Sequence, residues 1–218
     1  MAKPLLVIAN KNYSSWSLRP YMALVMAGIP FDEKMIAFGE PRFGKEVRKI
    51  SSAGKVPVFV HGKTVIWDSL AILEYLAETY PDKNLWPKSK VARAMARSVS
   101  SEMHSSYQAL RNACPMNLRR PPKAIALSDA VMANVQRIET VWRDCRKTSG
   151  KGGKFLFGKF SNADAMFAPV VSRFETFAIP ISKDTRAYMD AVLSTKAFQT
   201  WKAAALLETA IVPEDEVD

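Results

Sequence analysis

The chain has 218 residues, 48% hydrophobic and 24% charged, which is the composition of a folded globular protein with ample length for a core. Its net charge of +10 comes from dispersed basic residues without a nucleic-acid recognition motif, so nucleic acid is disfavoured and small anionic ligands are favoured. No apolar run approaches the ~20 residues that span a membrane. The only cysteines, Cys114 and Cys145, form no Cys-x-x-Cys pair. We expect a cytoplasmic protein with no membrane partner and no metal site.

The first eighty residues alternate between strand and helix patterns. The apolar residues 4–9 predict a buried parallel strand. A helix with apolar positions three and four apart follows and ends at Gly28. The next patterns predict a strand, a short helix, a hairpin and a helix, over residues 31–37, 43–50, 56–60 with 64–67, and 69–80. This β-α-β-α-β-β-α order predicts an α/β, thioredoxin-like domain over residues 1–80.

The remainder of the chain is predicted to be helical. Residues 81–90 are rich in proline and charge, which predicts a linker. An all-α domain over residues 91–218 should follow. Its predicted helices span residues 92–113, 124–148, 162–177, 184–193 and 195–207. Ser161 and Asp164 predict a reciprocal cap at the start of the third of these helices. The acidic residues 214–218 predict a frayed tail.

Two short motifs in the first domain supply the parts of a site for a small, extended, charged peptide. In one, a strand begins at Val56-Pro57, and proline has no N–H for a sheet ladder. A cis bond there would leave the Val56 backbone free to pair with a peptide. In the other, Asp68 and Ser69 directly precede a helical pattern. Cap oxygens and free N–H groups at a helix start suit a carboxylate and its neighbouring groups.

Together, these motifs resemble the glutathione transferase family. The family carries Val-Pro at a strand, a hairpin, and then Glu, Gln or Asp followed by Ser-x-Ala-Ile-x-x-Tyr-Leu. The chain carries Lys55-Val56-Pro57 and Asp68-Ser69-Leu70-Ala71-Ile72-Leu73-Glu74-Tyr75-Leu76. The Ser-x-Ala-Asp run at residues 161–164 is similar to the start of a buried helix in the family's helical domain. The resemblance implies a glutathione transferase fold over almost the whole chain, glutathione as co-substrate, and a homodimer.

The resemblance also implies a group that stabilises the glutathione thiolate at the start of the first helix. The chain carries there Ser14-Ser15-Trp16-Ser17-Leu18-Arg19. This run resembles the Ser-Ser-Cys-Ser-x-Arg run of zeta-class transferases, whose first serine activates the thiol, so the role falls on Ser14. Ser15 also fits the Ser-x-x-x-Arg spacing of the delta and theta classes. Tyr13 resembles the thiol-activating tyrosine of the tyrosine-type enzymes. A further alternative is that Tyr13, Ser14 and Ser15 only cap the helix. Trp16 replaces the zeta-class cysteine, which argues against zeta-type isomerase activity.

The same resemblance implies which residues hold the rest of glutathione. The Val56 backbone should pair with the cysteinyl unit, and Lys55 should contact the glycine carboxylate. Asp68 should face the γ-glutamyl amine, and Ser69 should bind its carboxylate. Lys45, on the short helix, is a further candidate. The implied ligands are Lys45, Lys55, Val56, Pro57, Asp68 and Ser69.

The predicted helix 92–113 is the candidate wall of the electrophile pocket. Met103, Tyr107 and Leu110 lie on one helical stripe, a pattern typical of core. Polar residues mixed into the stripe leave a role in the site open for Glu102, His104, Tyr107 and Arg111.

We therefore expect a glutathione transferase that acts in detoxification, with the thiolate attacking a small hydrophobic electrophile. Two alternatives remain from this reasoning. One is a glutathione-dependent isomerase, similar to maleylacetoacetate isomerase, or a lyase with the same thiol site. The other is a non-catalytic binding protein of the same fold. The electrophile itself cannot be predicted, because loops and helices that vary freely on this fold build its pocket.

Overall fold

The computed structural model describes residues 3–39 and 41–217. In this part of the chain, four strands form one mixed sheet in the order β2-β1-β3-β4. The strands are β1 (Leu5–Ile8), β2 (Asp32–Met35), β3 (Val58–His61) and β4 (Thr64–Trp67). β1 pairs in parallel with β2 and antiparallel with β3, and β3 pairs antiparallel with β4. The α/β layout predicted for the first eighty residues is confirmed.

The α-helices of the described residues are α1 (Ser15–Met26), α2 (Phe43–Arg48), α3 (Ser69–Thr79), α4 (Lys90–Ser105), α5 (Gln108–Ala113), α6 (Asp129–Ser149), α7 (Asn162–Thr176), α8 (Lys183–Leu193) and α9 (Lys196–Leu206). Short 3₁₀ turns cover Pro81–Lys83 and Pro213–Asp215. Everything from α4 onward is helical apart from connecting segments and two isolated bridges. The predicted combination of a thioredoxin-like domain and an all-helical domain is confirmed, whereas the domain limits at residues 80 and 91 stay predictions. No helix among the described residues is both long and apolar enough to cross a membrane.

The prediction of one continuous helix over residues 92–113 is wrong. The chain breaks between α4 and α5 at Tyr107, whose φ of +66° is left-handed. The Tyr107 hydroxyl donates to Glu102 across 2.6 Å, and Arg111 donates to the Met103 and Ser106 carbonyls at the end of α4. The Arg111 side chain satisfies carbonyl groups that a helix end leaves without partners. The apolar spacing continues across the break, because Met103, Tyr107 and Leu110 are all buried in the core.

Two further predictions are corrected at element ends. The helix predicted from residue 124 begins only at Asp129, where the Ser128 side chain accepts the Val131 N–H. The acidic tail is not frayed over residues 214–217, because Glu216 accepts from the Tyr13 hydroxyl and from Asn117. Residue 218 lies outside the described residues. The tail was missed because distant side chains hold it, whereas the helix start is set by the local cap of Ser128.

The buried helix α7 holds the two halves of the molecule together. It packs against α1 from the first domain and against α4 from the second. The predicted reciprocal cap at its start is confirmed, since the Ser161 N–H donates to Asp164 Oδ2 across 2.8 Å. The fully buried Asp164 also accepts from the Leu156 N–H and the Tyr188 hydroxyl. One carboxylate therefore joins the start of α7 to the preceding loop and to α8.

Replacing Asp164 by alanine should lower the free energy of unfolding by about 3 kcal/mol or more. The change leaves two buried N–H groups and two buried hydroxyls without this acceptor, and each such group costs about 1–3 kcal/mol. Urea unfolding followed by circular dichroism measures the loss. Ser182→Ala, which removes the side-chain acceptor of the Thr185 N–H at the half-exposed start of α8, should cost only about 1 kcal/mol. Equal losses for the two variants would contradict this account of Asp164.

Candidate functional site

A pocket of about 300 Å³ lies where the start of α1, the approach to β3 and the β4–α3 turn meet. Its lining residues are Trp16, Ala53, Lys55, Val56, Pro57, Trp67, Asp68 and Ser69. The structure therefore brings together five of the residues that the two sequence motifs supplied. Four other pockets among the described residues are larger, at about 380 to 710 Å³, but none of them is lined by a predicted site residue.

The approach to β3 presents backbone and charge to the pocket. The Val56–Pro57 peptide bond is cis, as the sequence predicted. Val56 is half-buried, and the strand ladder with β1 and β4 begins only at Val58. Lys55 is exposed at the rim of the pocket. This edge offers an unpaired stretch of backbone beside a cation, which suits an extended ligand with a carboxylate.

The β4–α3 turn presents a carboxylate in a constrained conformation. Asp68 caps α3, and its Oδ1 accepts the N–H groups of Leu70 and Ala71 at 2.9 and 3.3 Å. Its backbone has φ +75° and ψ +131°, a combination that costs a non-glycine residue about 1–3 kcal/mol. The neighbouring Ser69 is buried at the first position of the helix. Such strain persists where the surroundings hold it, and it concentrates at functional sites.

Arg19 lies fully buried beneath this turn and is the site residue to which sequence reasoning assigned no role. Its Nη1 donates to Ser69 Oγ across 3.1 Å, and its guanidinium stacks 4.2 Å from the centre of the Trp16 ring. Nε and Nη2 have no hydrogen-bond partner among the described residues. Burial, with the nearby charges of Arg111 and Arg173, holds the pKa of Arg19 well below its usual value. A buried cation with free donors indicates a place where an anion binds.

His104 reaches the same turn from α4. Its Nε2 lies 3.2 Å from Asp68 Oδ2, and its ring meets Trp16 edge-to-face at 5.2 Å. Burial lowers the pKa of His104, with smaller contributions from Arg19 and Arg111, while Asp68 opposes the shift. The sequence left the role of His104 open, and the structure places it against the pocket. Glu102 instead pairs with Arg137 on α6.

The serines at the start of α1 are almost completely buried. Ser14 is the N-cap residue, and its Oγ accepts the Ser17 N–H at 3.3 Å and lies 2.7 Å from Ser17 Oγ. Ser17 Oγ in turn accepts the Ala9 N–H from the end of β1. When the Ser17 hydroxyl donates to Ser14, the Ser14 hydrogen is free to donate to another group. The pocket touches this turn at Trp16, and Ser14 and Ser15 are not among its lining residues.

Ser15 has a different neighbour. Arg173, buried on α7, donates from Nη2 to Ser15 Oγ at a long 3.5 Å and from Nε to the Cys114 carbonyl at 2.7 Å. Burial lowers the Arg173 pKa to about 10. Arg111 lies near the same turn, with its guanidinium carbon 5.2 Å from the centre of the Trp16 ring. Three guanidinium groups therefore lie near the first turn of α1 and add positive charge there.

The Tyr13 hydroxyl is engaged away from this turn. It donates to Glu216 and accepts from Arg119 across 2.7 Å. Burial, followed by the hydrogen bond to Glu216, raises the Tyr13 pKa. A hydroxyl held in this way is poorly suited to activate a ligand thiol. Lys45 is exposed on α2 and does not line the pocket, so its role stays a prediction.

Comparison with known proteins places this geometry in a family. The family model described as "Glutathione S-transferase, N-terminal domain" matches residues 13–79, the segment that contains the serines, Arg19 and the whole pocket lining. The chain is 28% identical to maleylacetoacetate isomerase of Rattus norvegicus over 204 residues, covering 90% of this chain and 91% of that protein. These matches support a glutathione S-transferase family member.

Other relatives of this family member match over a shorter span. It is 37% identical to a probable maleylacetoacetate isomerase of Caenorhabditis elegans over 110 residues, half of each chain. It is 35% identical to a zeta-class glutathione S-transferase of Euphorbia esula over 117 residues, about half of each chain. The chain thus spans about half the length of these two curated relatives and nine-tenths of the rat protein.

The glutathione transferase fold extends over nearly the whole chain. A glutathione transferase homolog from Burkholderia gl BGR1, solved with bound glutathione, superposes with a TM-score of 0.72 at 18% identity. The superposition covers 94% of this chain and 98% of the other. At that identity the likeness establishes the fold alone, and the roles of individual residues rest on the geometry above.

Proposed function

We propose that this protein binds glutathione in the pocket at the start of α1 and ionises its thiol for attack on a small hydrophobic electrophile. One observation carries the proposal. The fully buried Arg19 holds Ser69 and has two unpartnered donors beside a pocket that also presents Asp68, Lys55 and the Val56 backbone. Glutathione is a short extended peptide with an amine, two carboxylates and a thiol, which is the set of groups that this pocket complements.

Each end of glutathione has a matching group in the proposal. Asp68 receives the γ-glutamyl amine. Ser69, whose Oγ already accepts from Arg19, directs its own hydrogen and its N–H to the adjoining carboxylate. The Val56 backbone pairs with the cysteinyl unit, and Lys55 faces the glycine carboxylate at the open rim. The cysteinyl sulfur is thereby directed toward the first turn of α1.

The first turn of α1 stabilises negative charge on that sulfur in the proposal. A free thiol is mostly protonated at neutral pH, so the protein must favour the thiolate. The Ser14 hydroxyl donates a hydrogen bond to it, while the helix start and the guanidinium groups around it supply positive potential. The thiol proton leaves to solvent, and the thiolate attacks the electrophile. Ser15 is the alternative donor, since it lies one position along the same turn.

A glutathione-dependent isomerase is the second candidate function. Its support is the 28% identity with the rat maleylacetoacetate isomerase over nine-tenths of both chains. Against it stands Trp16, which occupies the position of the zeta-class cysteine and fills the pocket wall with an indole ring. Both functions need the same thiolate, so they differ in the second substrate and in whether glutathione is consumed.

A screen of glutathione-dependent turnover separates these candidates. The panel consists of aryl halides, epoxides, hydroperoxides and maleyl compounds. A transferase consumes glutathione with one of the first three classes, whereas an isomerase converts a maleyl compound to its fumaryl isomer with no net loss of glutathione. Tight glutathione binding without turnover or thiol ionisation would favour a non-catalytic binding protein. Activity in detoxification and a cytoplasmic location remain part of the proposal.

The protein should also be a two-fold dimer. Trp67 at the pocket rim is 51% exposed and Val91 on α4 is 81% exposed, which leaves apolar surface near α3 and α4. A two-fold contact is self-complementary, so the same patch would serve both subunits. Light scattering at micromolar concentration should return twice the mass of one chain, and a single-chain mass would contradict the prediction.

A further inference from the structure

We infer that His104 is a positioning residue of the glutathione site: from α4, it holds the Asp68 carboxylate in the orientation that receives the γ-glutamyl amine. The inference rests on the proposed function, and it assigns to the helical half of the chain a part in recognising the amine. Its basis is the contact of His104 Nε2 with Asp68 Oδ2 at 3.2 Å. Neither of the two sequence motifs contains this histidine.

The two oxygens of Asp68 have separate tasks. Oδ1 is occupied by the first-turn N–H groups of α3, so the carboxylate is anchored on one side. Oδ2 accepts neither of these N–H groups, and the residue lines the pocket. Among the described residues, His104 brings a titratable group within 4.0 Å of this oxygen. Without His104, rotation about the side-chain bonds of Asp68 would be limited by the cap alone. With it, Oδ2 also has a neighbour at 3.2 Å that limits this rotation.

The tautomer of His104 follows from its surroundings. A hydrogen on Nε2 points at a carboxylate, whereas a lone pair on Nε2 would face negative charge. The buried Nδ1 has no hydrogen-bond partner in the described part of the chain. A hydrogen on Nδ1 would therefore be a buried donor without an acceptor, which costs more than an unused lone pair. Neutral His104 thus carries its hydrogen on Nε2, the nitrogen that lies 3.2 Å from Asp68 Oδ2.

Trp16 fixes the imidazole from the side of α1. The indole contacts the His104 ring edge-to-face and also stacks on Arg19, which itself binds Ser69. The pair of residues that recognises the γ-glutamyl end is therefore supported from two helices. Arg19 supports Ser69 from α1, and His104 supports Asp68 from α4. The indole of Trp16 lies between the two supports.

Protonation of His104 should weaken glutathione binding. The groups that face the ring are Asp68 from the β4–α3 turn, Arg19 from α1 and Arg111 from α5, so two cations and one anion surround it. An imidazolium would neutralise Asp68 and repel the ligand amine. Burial and the two arginines lower the pKa of His104, which keeps it neutral at physiological pH. Affinity should be constant above neutrality and fall as the pH drops through that lowered pKa.

The test measures binding of S-methylglutathione by calorimetry at several values between about pH 5 and pH 8. This probe has no thiol to ionise, so thiolate formation does not enter the result. His104→Leu should weaken binding about tenfold at pH 7.5, the scale of one hydrogen bond to a charged group. His104→Gln keeps an N–H donor at a similar distance from the backbone, but the amide does not titrate. This variant should therefore keep most of the wild-type affinity, and its affinity should not fall at acidic pH.

Two controls separate a positioning role from a structural one. The chain has one other histidine, His61, which contacts the Tyr75 hydroxyl on α3. His61→Gln should leave both the affinity and its pH dependence unchanged. An analogue of the probe with glutaryl in place of γ-glutamyl lacks the amine. For this analogue, wild type and His104→Leu should bind alike.

The outcomes are distinguishable. If the wild type does not bind S-methylglutathione, the proposed function itself fails. If the wild type binds, and His104→Leu shows the same affinity and the same pH profile, the inference about His104 is overturned while the proposed function stands. Equal weakening for the probe and for the analogue without the amine would also overturn it, because the effect would then not act through Asp68. Thermal melts identify any variant that has lost its fold.

Discussion

Replacing Ser14 by alanine should raise the pKa of enzyme-bound glutathione and lower turnover, while binding stays nearly intact. A hydrogen bond to a charged group contributes about 1.5–3 kcal/mol, so the thiolate population near neutral pH should fall about ten- to a hundredfold. Binding should persist because Lys55, the Val56 backbone, Asp68 and Ser69 do not depend on this hydroxyl. The variant also loses the N-cap of α1, which costs about 1 kcal/mol of stability.

Thiolate absorbance against pH, on the complexes of wild type and variants, measures this effect. Ser15→Ala is the matched control, since it removes a hydroxyl one position along the same turn. Tyr13→Phe is the second control, and it should leave the titration unmoved because that hydroxyl is bound to Glu216 and Arg119. If the thiol pKa shifts only in Ser15→Ala, then Ser15 and not Ser14 donates to the thiolate. If the thiol pKa shifts in neither serine variant, then the helix start and the guanidinium groups around it stabilise the thiolate without a serine hydroxyl.

Replacing Arg19 by methionine should have opposite effects on binding and on the stability of the free protein. Glutathione affinity should fall by about 2 kcal/mol or more, roughly thirtyfold in Kd, because the γ-glutamyl carboxylate loses a buried charged partner. The ligand-free protein should be as stable as wild type or more stable. A buried cation with two unpartnered nitrogens costs free energy, and an apolar side chain of similar length removes that cost.

This opposition separates a binding role from a structural one. An arginine that only supports the fold would destabilise the free protein when removed. Arg146 is the matched control, since it is mostly buried in the helical domain and pairs with Asp184. Arg146→Met should lower the melting temperature and leave the Kd for glutathione unchanged. A destabilised Arg19→Met variant with normal glutathione affinity would contradict the account of Arg19.

The N-terminal half could be predicted from the sequence because its signals are local. Short apolar runs predict β1 and β3, and Gly28, at φ +64°, ends the pattern of α1 in a conformation that glycine adopts readily. The site residues of this half follow for the same reason. Val56-Pro57 and Asp68-Ser69 each occupy a recognisable position at an element start, and the sheet order then brings them to one pocket.

The sequence failed where tertiary contacts decide the structure. The helix break at Tyr107 depends on a hydroxyl that reaches Glu102 and an arginine that caps α4, and neither contact interrupts the apolar spacing. The ordered tail depends on Tyr13 and Asn117, which are far away in the chain. His104 and Arg19 were missed as supports of the site for the same reason. Each contacts Asp68 or Ser69 from another helix, and one sequence does not record such pairs.

The most direct test of the central claim is the pH titration of glutathione bound to the wild-type protein, followed by its thiolate absorbance. The account predicts binding with a thiol pKa well below that of free glutathione, because the first turn of α1 and the guanidinium groups around it favour the anion. An enzyme-bound thiol that titrates like free glutathione, or no binding at all, would contradict it.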